Sequence, residues 1–256
     1  MMCSSSTSYF IYNHTCLDLL VSEGNLSEFT IIQGDPYSEI EVLTKDSIDC
    51  IFTAPNSPQP RTKDDVYKLI EFFEKVKPII TDLGSCYVQL GDMHDQRGSL
   101  TGITALFYLG ILTGGWTVRS ELTWYREDQD SKMEDEMRFK RDCEKIYFFA
   151  PDKNHYFNDK IGMHKTSLMS YRTEKVRLNE FRSKIPIEMI QRLLKVATRP
   201  GDIVLDPFCD VGAVGIAALN IGRSFIGIER RESFIPLLEK KLSNFGRKST
   251  PLATTV

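Results

Sequence analysis

The sequence predicts an α/β fold, a mostly parallel sheet with helices on both faces. Three observations predict it. Short, nearly continuous apolar runs alternate with longer stretches of helical periodicity. Several of the runs stop at Gly-Asp, Ala-Pro or Asp-Pro pairs, as buried strands do where loops begin. One run passes through a glycine-containing turn straight into a helix, an arrangement that lets backbone amides approach a ligand. In such a sheet ligands are expected at the carboxyl ends of the strands.

In chain order, Phe29-Thr30-Ile31-Ile32 reads as a strand ending at Gly34-Asp35. Residues 47–53 read as a buried strand broken by Ala54-Pro55-Asn56-Ser57-Pro58. A helix is expected from Asp64 to Ile80, with apolar residues at 66, 69, 70, 73, 76 and 80. Ser85 to Leu90 should be the next strand, stopping at Gly91-Asp92. A helix over 101–113 and strands over 116–125 and 145–150 follow. The last third reads as helix 186–198, strand 203–205, helix 212–221, strand 224–228 and helix 232–243. The organisation expected is an extension over 1–27, one domain over 28–245 and a disordered tail over 246–256.

The chain has 256 residues, 41% hydrophobic and 26% charged, ordinary for a soluble globular domain. No apolar run is long enough to cross a bilayer, and the first residues lack the basic-then-apolar pattern of a secretory leader. An intracellular, soluble, non-secreted protein is expected. Six cysteines at 3, 16, 50, 86, 143 and 209 form no C-x-x-C pair, so neither a zinc site nor a disulfide framework is indicated. The net charge of −3 is unevenly spread: residues 159–199 carry +6 and the first 158 residues −10. A basic segment on an acidic body suits a local phosphate-binding surface, and equally a solvated helix face.

Two strings carry chemistry. The first is Asp206-Pro207-Phe208-Cys209-Asp210-Val211-Gly212-Ala213-Val214-Gly215, with Glu229 at the end of the following strand. A carboxylate placed there can accept hydrogen bonds from both hydroxyls of a ribose. The string, followed by Gly222-Arg223 and Phe225-Ile226-Gly227, resembles the cofactor half of the amino-group DNA methyltransferases. The second string, Asp49-Cys50-Ile51-Phe52-Thr53-Ala54-Pro55-Asn56-Ser57, aligns with the strand and loop that in this family reads D-L-I-V-T-S-P-P-Y. Ile31 to Asp35 resembles the family's opening G-D strand. The catalytic loop thus precedes the glycine loop, the circularly permuted order of the β class, which contains many cytosine-N4 and some adenine-N6 enzymes.

The resemblance implies a Rossmann-like S-adenosylmethionine-dependent methyltransferase fold, S-adenosylmethionine as cofactor and DNA as partner. It places Asp35, Lys184, Asp206, Phe208, Gly212 and Glu229 around the cofactor, and Ala54, Pro55, Asn56 and Ser57 in the catalytic loop. In that loop a side-chain acceptor and a proline carbonyl take the two hydrogens of an exocyclic amine, while an aromatic residue stacks on the flipped base. Here Ala54 stands at the acceptor position, Asn56 at the second proline and Ser57 at the aromatic. Loss of one positioned contact at a transition state costs about 3–4 kcal/mol, and loss of stacking roughly 1–3 kcal/mol more. Asp210 and Val211 stand where the family has Gly-Ser, and Ala213-Val214 where it has Thr-Thr.

Residues 155–182 occupy the place of the family's target-recognition segment and are basic and aromatic in places. Trp124, Arg138, Lys165, Arg172, Lys175 and Arg177 are the candidate DNA contacts, although for an aromatic such as Trp124 a place in the core is the commoner outcome. Asp92 reads as a rim contact or a turn residue, and Glu144 as the partner of a nearby basic group. The function expected is methyl transfer to an exocyclic amine of a DNA base, cytosine N4 before adenine N6, as in restriction-modification systems. The alternative is an impaired relative that binds nucleic acid, either as a homodimer or beside an active methyltransferase.

Overall fold

The computed structural model describes residues 29–55, 62–127, 142–161, 166–173, 176–178, 181–183 and 185–246. An eight-stranded sheet runs through it. Its strands are β1 (Phe29–Gln33), β2 (Ile48–Thr53), β3 (Ile80–Leu90), β4 (Thr117–Arg126), β5 (Cys143–Ala150), β6 (Leu168–Tyr171), β9 (Ile203–Asp206) and β10 (Ser224–Glu229). Their spatial order is β1-β10-β9-β2-β3-β5-β4-β6. All neighbours pair in parallel except β5, which runs against both β3 and β4. A separate two-stranded hairpin joins β7 (Val176–Leu178) to β8 (Phe181–Ser183).

Both faces of the sheet are covered. The helices are α1 (Pro36–Glu39), α2 (Lys63–Val76), α3 (Ile103–Thr113), α4 (Ile187–Ala197), α5 (Ala213–Asn220) and α6 (Ile235–Gly246). On one face Cys50, Phe52 and Val204 pack with residues of α4, α5 and α6, among them Met189, Ala217 and Leu238. On the other, Ile51 and Leu205 pack with Val66, Leu69 and Phe73 of α2 and with Phe107 of α3. Strands buried on both sides explain why the apolar runs in the sequence are continuous rather than alternating.

Helix α2 begins with a capping box between Thr62 and Asp65, so its start is written in the sequence. Its end differs from the expected Ile80. The helix stops at Val76, a 3-10 turn spans Lys77–Ile79, and Ile80 is already the first residue of β3. Pro78 has no N–H to continue the α ladder, and its carbonyl accepts from Asp46 N–H instead. Strand β6, which extends the sheet beyond β4, and the β7–β8 hairpin were not expected from the sequence.

Candidate cofactor and catalytic site

Because β1, β10, β9, β2 and β3 are parallel, their carboxyl ends share one edge. That edge gathers Gly34-Asp35, Glu229, Asp206, Ala54-Pro55 and Gly91-Asp92. Strand β9 is the switch point: the chain leaves it for β10 on one side, while β2 on the other side leads to β3. The two strings that carry chemistry meet here. Thr53 Oγ1 donates to Asp206 Oδ1 at 2.8 Å, a contact between residues 153 positions apart. Phe208 N–H donates to the same oxygen at 3.1 Å. Burial pushes the Asp206 carboxyl up to about 7; these two hydrogen bonds oppose the rise, and the charges of Asp210 and Glu229 add to it.

Between β1 and the β9–α5 loop lies a pocket lined by Asp35, Pro36, Tyr37, Pro207, Phe208, Asp210, Ile228, Glu229, Arg230 and Arg231. Asp35 caps α1 by accepting Tyr37 N–H at 3.0 Å, which sets the Tyr37 ring edge-on to Phe208 with centroids 5.9 Å apart. Glu229 is buried at the tip of β10 and accepts from Arg231 N–H and Arg231 Nε, each at 2.8 Å. Asp35, Phe208 and Glu229, expected from the sequence around one ligand, thus line one pocket, while Asp206 is buried and is not part of its lining. Gly212 is different. Its φ is +77°, and a Cβ there would come within 2.9 Å of Leu238 Cδ2, so this glycine serves the packing of α5 on α6 and does not line the pocket. Lys184 lies outside the described residues.

On the catalytic side, Ala54 is 7% exposed and joins the core beneath the sheet, and Pro55 is buried beside it. Asn56 and Ser57 lie outside the described residues. Register pairs Thr53 with Val88, which puts Gln89 next to Ala54. Gln89 Nε2 donates to Glu144, whose other oxygen pairs with Arg126 at 2.7 Å. The expected partner of Glu144 is thus Arg126. Asp92 accepts from Thr101 Oγ1 at 2.6 Å and from Ile103 N–H at 3.3 Å, so it closes the turn into α3.

The candidate DNA contacts are less concentrated. Trp124 is fully buried and its indole N–H donates to the Tyr171 carbonyl at 3.1 Å, so it ties β4 to β6 as a core residue and is no base contact. Arg172 is exposed, 3.8 Å from Glu127. Arg177 sits in the β7–β8 hairpin. Arg138, Lys165 and Lys175 lie outside the described residues. Among the described residues no cluster of His, Cys, Asp and Glu suits a metal ion, and no helix is long and apolar enough to cross a membrane. Tyr37, Thr53 and Arg231 are site residues that the sequence did not point to; only Thr53 had a signal, its place just before the catalytic loop.

Known proteins share this architecture. A family model described as DNA methylase, of the N6/N4 methyltransferase type, matches residues 61–240. The type II methyltransferase M.XycI of Xanthomonas campestris pv. cyanopsidis is 23% identical over 83% of this chain and 87% of its own length. M.Cfr9I of Citrobacter freundii is 22% identical over 85% and 88%. Among solved structures, the cytosine-N4-specific PvuII DNA methyltransferase superposes with a TM-score of 0.72 at 14% identity, covering 87% of this chain and 92% of that one. A putative DNA modification methylase of Thermus thermophilus, complexed with S-adenosylmethionine, gives 0.67 at 17% identity, covering 86% and 96%. The fold is that of the Rossmann-like methyltransferases in circularly permuted order, with β2 and its loop ahead of β9 and the glycine loop. With its two motif-bearing loops joined at one sheet edge, the chain belongs to the DNA methylase family that modifies amino groups of bases.

Proposed function

We propose that this protein transfers the methyl group of S-adenosylmethionine to an exocyclic amino group in DNA, cytosine N4 before adenine N6, at a rate limited by its catalytic loop. The observation that carries the reading is the Thr53–Asp206 hydrogen bond, which joins the catalytic strand to the cofactor strand across the switch point. The pocket chemistry fits an adenosyl group. Glu229 offers a carboxylate for ribose hydroxyls, and Phe208, Tyr37, Pro207 and Ile228 offer flat or apolar walls for a purine. When bound, S-adenosylmethionine supplies an electrophilic methyl on a sulfonium. The chain's part is to hold the amine in line with it and accept its hydrogens, for which Pro55 retains a backbone carbonyl. The cytosine preference rests on the PvuII likeness and on a loop whose family counterpart carries serine at the position of Ala54.

Ala54 also favours a second reading, a nucleic-acid-binding relative with little or no transferase activity, because a methyl side chain accepts no hydrogen bond. Titration calorimetry with S-adenosylmethionine, paired with methyl transfer to DNA of mixed sequence, decides between the two. Micromolar binding with slow, loop-limited transfer is expected. Salt-sensitive DNA binding without any cofactor uptake would sink the transferase reading in favour of the second.

A further inference from the structure

The glycine loop departs from the family's pattern at Asp210, and the structure answers that departure from the next strand. Asp210 has a φ of +47°, the left-handed region that glycine enters freely and that Asp tolerates better than most residues. The backbone at this position is therefore glycine-like, and what has changed is the carboxylate it carries. That carboxylate stands in the pocket wall together with Glu229. Arg231 meets both: its NH2 pairs with Asp210 Oδ1 at 2.5 Å, its Nε with Glu229 Oε1 at 2.8 Å. The guanidinium also lies over the Phe234 ring, 3.6 Å from the centroid, which fixes its plane. A further cation near the loop, Lys241, donates to the Val211 carbonyl at 2.8 Å.

We infer that Arg231 is a positioning residue for the cofactor: by neutralising Asp210 and orienting the Glu229 carboxylate, it keeps a loop with an acid in a glycine's place able to hold the adenosyl group. The inference rests on the cofactor reading above. Oxygen by oxygen, Glu229 Oε1 already accepts two short bonds, from Arg231 N–H and Nε, whereas Oε2 receives a single contact of 3.2 Å from Arg231 NH2. Oε2 is thus the oxygen left for a ribose hydroxyl. Without the guanidinium, Asp210 and Glu229 would stand in the pocket wall without the cation that bridges them. A forked cation is required because both acids are served at once, which a lysine ammonium on a flexible stem does less well.

The test is a double-substitution cycle read by calorimetric titration with S-adenosylmethionine, with thermal unfolding of every variant alongside. R231Q, which keeps a long polar side chain and loses the charge, should weaken binding roughly 10-fold, the scale of one charge-assisted hydrogen bond. D210G should bind at least as well as the unaltered chain. D210G/R231Q should lose less against D210G than R231Q loses against the unaltered chain, since Arg231 then serves Glu229 alone. R231K should recover part of the loss, and it carries the comparison should R231Q fail to fold. Equal losses from R231Q with and without D210G, tracking the fall in Tm, would reduce Arg231 to a structural residue and overturn the inference. Tighter binding by R231Q would make Arg231 an obstruction and overturn it as well. Binding by D210G but not by the unaltered chain would refute compensation while leaving the cofactor reading standing. Binding by neither would remove the cofactor reading, and this inference with it.

Discussion

On the β9 side of the sheet edge an acid stands where the family carries glycine, and a guanidinium from just beyond β10 reaches over to balance it. On the β2 side a methyl group stands where the family carries a hydrogen-bond acceptor, and the buried Ala54 side chain has no polar atom with which to answer. A charge acts over several ångströms, so a neighbouring element can neutralise it while the backbone stays in place. A hydrogen bond to a reacting amine needs an acceptor within about 3 Å along one direction, so its loss is repaired only by a group at nearly the same point. Changes in the two loops therefore have unequal consequences. On the proposed function, the pocket keeps its walls while the chemistry beside it loses rate.

The largest effect that would sharpen this contrast belongs to Asp206, which both loops touch. Its pKa in the folded chain, about 7, lies above the unfolded value, so between about pH 4 and 7 the folded state holds a proton that the unfolded state has released. Stability from this group is highest at low pH and falls as pH rises through about 7, by as much as about 4 kcal/mol. Asp206→Asn should abolish that slope, as measured by urea unfolding at pH 5 and pH 8; an unchanged slope would place the titration elsewhere. Next is Ala54→Ser, which restores an acceptor and should raise the methylation rate about 10²-fold or more. The triple variant with Asn56→Pro and Ser57→Tyr should raise it further, and no gain in either would break the contrast between the loops. Glu229→Gln should weaken S-adenosylmethionine binding roughly 10- to 100-fold with little effect on DNA binding, read by separate titrations. The smallest effect is Thr53→Val, costing about 1 kcal/mol of stability through the lost bond to Asp206 and moving the Asp206 titration upward.

Most strands were legible because burial on both faces leaves apolar runs such as Cys50–Phe52 and Phe225–Ile228. The pocket was legible because Phe208 and Glu229 belong to contiguous strings, one just beyond the end of β9 and the other at the end of β10. Other features were hidden for physical reasons. Strand β6 is four residues at the sheet's outer edge with an exposed–buried alternation too short to register as a period. The helix expected to reach Ile80 continues the apolar spacing of α2 past Pro78, and periodicity alone does not register the missing N–H. For Trp124 the sequence offered both a base contact and a core place; the core place holds, fixed by a carbonyl of β6, a strand invisible in the sequence. Arg231 carries no signal of its own. It acquires meaning only when β10 lies against β9 and brings Asp210 within its reach.

The position of β9 sets the order in which this molecule can assemble. It is inserted between β10 and β2, so the middle of the sheet closes through pairings such as Cys50 with Val204, more than 150 positions away along the chain. Closing so long a loop costs entropy before any contact repays it, which slows folding. During synthesis, β2 and β3 must wait with one edge of β2 unpaired until residue 206 has emerged, and the cleft is complete only once β10, which carries Glu229, has docked in turn.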